Sequence, residues 1–220
     1  MLKLRLFAKP GNYYLFDYRK SNSKFNRVLD DFYIKNSKLC QFCNVEIKHN
    51  HSIVNIDHDY TNNVKSNLAL SCLLCARTQL LDFYPLSYQG TDKLVYWPEL
   101  SQAEINRLLT ELVKKSLENN DDLFSIKTLY SYFNEKSDVL THLCSSEVIN
   151  PGFYRLISSF SYSNHQIISG IRILFSYEFI KNNIITATDN SREGQTDSKT
   201  ENSGQNKSDN ESENKRGDAL

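Results

Sequence analysis

No stretch of this chain is apolar for long enough to cross a bilayer. The longest candidate, Ile167 to Ile180, is interrupted by Ser169, Arg172 and Glu178. Net charge is also missing: 26 acidic residues cancel 26 basic ones, so no global basic field advertises a nucleic-acid partner. The start of the chain lacks the apolar block of a secretory signal, because Leu2, Leu4 and Leu6 alternate with Lys3 and Arg5. Internal repeats are absent. Residues 189–220 have no aromatics and hold eight of the acids and five of the bases, which leaves 18 acids and 21 bases in the rest. This Asn/Ser/Glu/Lys/Asp tail cannot bury enough surface to fold and reads as disordered. Cysteine is scarce at five residues. The fifth, Cys144, reads as a small core residue, and the usage fits a reducing compartment. These absences predict a soluble intracellular protein with no direct membrane insertion.

What is present is concentrated in two short motifs, Cys40-Gln-Phe-Cys43 and Cys72-Leu-Leu-Cys75. Each CxxC pair lets one tight turn point two sulfurs at one ion, so together they predict a four-sulfur tetrahedral zinc site with one structural ion. Two disulfides, or four buried apolar cysteines, are the alternatives. A four-thiolate site is closed to substrate and contributes folding energy rather than Lewis-acid chemistry.

Around the cysteines the patterning predicts an α+β protein. Leu2 to Leu6 read as a strand, Pro10-Gly11-Asn12 as a turn and Tyr13 to Phe16 as a returning strand, which makes an N-terminal β-hairpin. Phe25, Val28, Leu29 and Phe32 are at helical spacing. A zinc module is expected over about 36–84: the first knuckle, strands at Val45–Ile47 and Ile53–Ile56, a loop, then a helix from Asn67 carrying the second pair. Leu94 to Trp97 reads as a strand ended by Pro98. Ser101-Gln-Ala-Glu104 is a capping box that opens a helix over 102–118. Further helices are expected at about 122–134, 136–146, 151–160 and 164–183, the last as a core helix or a face for a partner. The folded unit is expected over 1–185.

Asp57-His58 lies between the cysteine pairs. The segment CQFC, VNIDH and SNLALSCLLC resembles the zinc-stabilised HNH endonuclease ββα module. That resemblance makes His58 the base, Asp57 a metal ligand and Asn67 the residue that holds the loop. Ala76 stands where such enzymes place a closing ligand, and alanine coordinates nothing, so the three are read as vestigial. The alternative is an active metal-dependent HNH endonuclease using Asp57 and His58. A zinc-knuckle nucleic-acid binder using Lys35, Lys38, Lys48, Lys65 and Arg77 is a third reading, although these bases are interspersed with acids.

A more specific resemblance covers most of residues 1–185. CQFC, IVNIDHDYTNN, SNLALSCLLC and LVYWPELSQAEINRLL, in that order, are similar to the IcmJ (DotN) family of HNH-like subunits of the Dot/Icm type IVB secretion coupling complex. The resemblance implies a non-catalytic zinc protein with Cys40, Cys43, Cys72 and Cys75 as ligands. It further implies binding to the C-terminal extension of a DotL-like coupling ATPase, alongside other coupling-complex subunits, peripherally at the inner membrane.

Overall fold

Pro10 and Gly11 end the first extended segment as their turn chemistry demands, yet a helix follows where a strand was expected. In the computed structural model, which describes residues 1–35, 38–47, 51–118, 123–143, 149–159 and 165–184, Gly11 is the N-cap of α1 (Asn12–Tyr18) at φ 87°. Glycine enters that left-handed region without the steric penalty of a Cβ. The Asp82 carboxylate accepts the Tyr13 N–H at 2.8 Å and satisfies part of the first turn from a distant loop. The N-terminal β-hairpin is thus corrected. Tyr13 to Phe16 are β-prone by residue type, but the remote cap and the burial of Asn12 and Phe16 on one helix face override that tendency. Residues 2–7 stay extended and are held singly: Leu2 N–H donates to the Gln41 carbonyl and Phe7 N–H to the Thr78 carbonyl, while the Phe7 carbonyl accepts from Leu81. The expected second helix is α2 (Ser23–Lys35).

Strand β1 (Ser52–Asn55) pairs antiparallel with β2 (Leu68–Ser71), Ile53 opposite Leu70 and Val54 opposite Ala69. Helix α3 (Leu73–Thr78) follows directly. The helix expected from Asn67 therefore starts later, and its first residues are a strand. All four residues of β2 are buried, and a short, wholly buried run carries no period that separates strand from helix. Val45 to Ile47 supply one bridge, Glu46 against Leu39, rather than a full strand.

The rest of the chain builds a second layer. Strand β3 (Lys93–Tyr96) pairs antiparallel with β4 (Ile171–Leu174), and α4 (Gln102–Glu118) and α5 (Leu123–Leu143) pack over them. The capping box forms as expected: Ser101 N–H and hydroxyl both donate to Glu104 Oε2, at 2.8 and 2.7 Å. Helix α5 is continuous through 135, where two helices were expected, since no breaker interrupts it. Pro151–Phe153 and α6 (Tyr154–Ser159) fill the next expected position.

The single helix expected over 164–183 divides into α7 (His165–Gly170), β4 and a helical stretch at 177–184. Gly170 marks the first break. A Cβ there would lie 2.5 Å from the Tyr96 ring, so any larger residue would have to displace that ring where the chain passes into β4. Beyond it, Ile171 and Ile173 face the core of a strand whose partner is 75 residues upstream.

Two apolar clusters result. One gathers Leu4, Phe16, Ile53, Leu68, Leu70 and the cysteine segments. The other gathers Leu94, Ile105, Leu109, Phe133, Ile173 and Phe175. Helix α3 serves both, with Leu74 in the second and Cys75 and Ala76 in the first. Trp97 lies in the second. Cys144, Lys48 and the 189–220 tail lie outside the described residues.

Candidate metal centre

Each cysteine pair is shaped by its own backbone. In the first, Cys40 N–H donates to the Val45 carbonyl and Asn44 N–H to the Cys40 carbonyl, both at 2.9 Å. Asn44 turns the chain back at φ 61°, a conformation asparagine adopts more readily than most residues. In the second, Cys72 is the extended N-cap of α3 and Cys75 lies one turn in, with Ala76 N–H on the Cys72 carbonyl at 3.0 Å. Gln41 joins the two. Its N–H donates to the Leu70 carbonyl at 3.0 Å and its Oε1 accepts from Leu70 N–H at 2.9 Å, so the first knuckle grips β2 two residues before Cys72.

The four sulfurs all lie within 4.8 Å of one another, and Cys43 Sγ is 3.7 Å from Cys72 Sγ. A disulfide needs about 2.05 Å, and the four cysteines are free. A tetrahedron with metal–sulfur bonds of about 2.3 Å has edges of about 3.8 Å, close to the 3.7 Å between Cys43 and Cys72 and inside the 4.8 Å that bounds all four sulfurs. Cys40, Cys43 and Cys75 are buried and Cys72 is half-buried. Hydrogen bonds from Cys43, Cys72 and Cys75 hold the Cys40 thiol far below its ordinary range. The Cys72 thiol is raised, chiefly by its bond to Cys40, and the Cys75 thiol is raised first by burial. Four crowded sulfurs without a cation cannot all ionise together. The donor set and spacing suit a metal ion, and the group could hold one.

The Asp57–His58 dyad is arranged differently. Asp57 Oδ1 accepts from Asp59 N–H and Asn67 Nδ2, both at 2.8 Å, and Oδ2 accepts from Asn62 Nδ2 at 2.7 Å. Asn67 Oδ1 accepts the Asp57 N–H at 3.0 Å, and its Nδ2 also reaches the Asn62 carbonyl. Asn67 thus ties the loop together through Asp57, the carboxylate that an HNH-type nuclease would give to its metal. Partial burial raises Asp57's pKa and these hydrogen bonds outweigh it, leaving the group below its ordinary value. His58 stands at φ 60° with its ring stacked on Phe7 at 4.2 Å. Its Nδ1 is buried with no hydrogen-bond partner among the described residues. His51 stacks on Tyr33 at 4.3 Å, away from the dyad.

No family model matches the chain. The Type 4 apparatus protein DotN of Legionella pneumophila subsp. pneumophila (strain Philadelphia 1) is 30% identical to it over 152 residues, covering 69% of this chain and 71% of that protein. The chain belongs to the DotN (IcmJ) family. Among the described residues of this DotN-family chain, no helix is long and apolar enough to cross a membrane.

Sequence reasoning missed three side chains around the sulfurs: Gln41, which pins the first knuckle to β2, and Asn106 and Gln102 on α4. Asn106 Nδ2 lies 3.3 Å from Cys75 Sγ. The signal for the α4 pair was present. Gln102 and Asn106 are one turn apart on the apolar stripe of Ile105, Leu109 and Val113, where a polar residue needs a buried partner.

Proposed function

We propose that this DotN-family chain is a non-catalytic structural component of a type IV secretion coupling complex, built on an HNH-like ββα frame around one zinc ion. Cys40, Cys43, Cys72 and Cys75 hold the zinc, residues 1–185 act as one unit with a helical C-terminal half, and residues 189–220 form a polar tail. The unit binds the C-terminal extension of a DotL-like coupling ATPase, beside other subunits of the complex, and sits in the cytoplasm at the inner membrane through them. Nucleic acid is not a partner in this reading.

The 30% identity to DotN over most of both chains carries the proposal. Four sulfurs within 4.8 Å support the structural zinc, because a four-thiolate site leaves no open position for substrate. Against nuclease chemistry stand the engaged carboxylate of Asp57, the stacked ring of His58 and the buried, non-coordinating Ala76.

Co-purification from the native host, with zinc quantified in the same sample, tests the proposal. Recovery with a coupling ATPase at one zinc per chain is the expected outcome. Recovery alone, or with DNA and a second divalent metal, would overturn it and return Asp57 and His58 to the front.

A further inference from the structure

We infer that Asn106 is the positioning residue of the sulfur cluster, and that Gln102 fixes it to β4, so that the metal site and the C-terminal layer are joined by one buried chain of amides. The inference rests on the proposal that these sulfurs hold a metal.

The polarity of the chain is set at its far end. Gln102 Oε1 accepts the Ile173 N–H at 2.8 Å, and Gln102 Nε2 donates to the Ile173 carbonyl at 2.9 Å. The side-chain amide thus pairs with β4 as a neighbouring strand would, and the backbone decides which end is oxygen. The second Nε2 hydrogen goes to Asn106 Oδ1 at 2.8 Å. Asn106 must then turn its Nδ2 the other way, toward Cys75 Sγ and Thr78 Oγ1, each at 3.3 Å. Thr78 spends its own hydroxyl hydrogen on the Leu74 carbonyl at 2.9 Å, so it can only accept from Asn106.

The sulfur of Cys75 is therefore on the receiving side of an N–H donor. Cys75, Asn106 and Thr78 have no exposed surface, and Gln102 has 2%. A neutral thiol is a weak acceptor and would leave the second Asn106 hydrogen poorly satisfied where water cannot help. A metal-bound thiolate is a strong acceptor, and the amide draws charge from it. Outer partners of this kind orient ligands and typically change metal affinity by about 10- to 100-fold. The bland reading, two amides that merely brace α4 against β4, requires no sensitivity at the metal.

The test uses the full chain loaded with ¹¹³Cd, comparing wild type, Asn106→Ala and Gln102→Ala. Asn106→Ala is expected to move the ¹¹³Cd resonance and to hand the metal to a chelator roughly 10- to 100-fold faster. Gln102→Ala is expected to do the same more weakly, and to remove the exchange protection of the Ile173 amide. An unmoved resonance with unchanged transfer in Asn106→Ala would overturn the inference and leave the metal site standing. A wild-type chain that takes up no cadmium through four sulfurs would instead sink the metal reading beneath it. If Asn106→Ala is insoluble, the loaded wild type decides. Side-chain amide protons of Asn106 protected from exchange support the link, and exchange as fast as a surface asparagine's refutes it.

Discussion

The two apolar clusters of this protein are built on different principles. In the second, large side chains do the packing: Ile105, Leu109, Phe133, Leu140, Ile173 and Phe175 are all fully buried. In the first, Phe16, Phe42, Ile53, Tyr60, Leu70 and Leu80 share the interior with Ala69, Ala76 and the three buried cysteines. A cationic hub holds the adjoining loop. The buried Arg19 guanidinium donates to Asn55 Oδ1 and the Ile53 carbonyl, and to Asn63 Oδ1 at 2.8 Å. It also faces the rings of Phe16, Phe25 and Tyr60. Hydrophobic burial scales with the apolar area removed from water, so the second layer can be stable on its own account. The first sets beside its apolar side chains a group of four cysteines that could hold a metal ion.

The sharpest way to break the comparison is to take the centre out of the first region. Cys40→Ser or Cys72→Ser is expected to lower zinc content and solubility together, since structural zinc is worth about 10–16 kcal/mol of apparent binding free energy in small modules. Full solubility with zinc lost would mean that the small residues around the sulfurs pack well enough alone. The smaller, complementary blow falls on the second region. Phe133→Ala removes a fully buried ring that contacts Trp97 and Tyr130. It is expected to cost about 3–5 kcal/mol in chemical denaturation, while metal content per folded chain stays at the wild-type value. Loss of metal from folded Phe133→Ala would show that the two regions do not divide the work as described.

What could be read from the sequence follows the same division. The gathering of Cys40, Cys43, Cys72 and Cys75 was legible because CxxC chemistry is local: two residues of spacing decide where both thiols point. The Ser101–Glu104 box and α4 were legible for the same reason, within one turn of chain. The elements that were misread depend on partners far away. Tyr13 to Phe16 became helical because Asp82 caps α1 from 69 residues on. Leu68 to Ser71 became a strand because Ser52 to Asn55 lay waiting, and Ile171 to Leu174 because β3 did. The site itself was half legible. Asp57 and Asn67 meet in one hydrogen-bonded loop, but no local pattern showed that the carboxylate would be consumed by it, or that Asn106 would reach a sulfur.

The finest test of the contrast is by pH, and it concerns His58, in the first region but remote from sulfur chemistry. Burial lowers the pKa of this ring; Asp57 opposes that and Arg5 adds to it. Because the folded value lies below the unfolded one of about 6.5, the unfolded chain takes up the proton first as pH falls. The stabilising contribution is therefore present above about pH 6.5 and is lost as pH drops toward the folded value. His58→Gln keeps a polar side chain of similar reach that does not titrate. It is expected to flatten the fall in melting temperature as pH drops below about 6.5, the effect being the smallest of the three because the ring is only half-buried and solvent screens its charge. Melting curves of wild type and variant, both with saturating zinc, make the comparison. Curves that stay parallel would assign the whole acid sensitivity to protonation of the cysteine ligands, and would leave His58 as a stacked ring whose charge state does not matter to the fold.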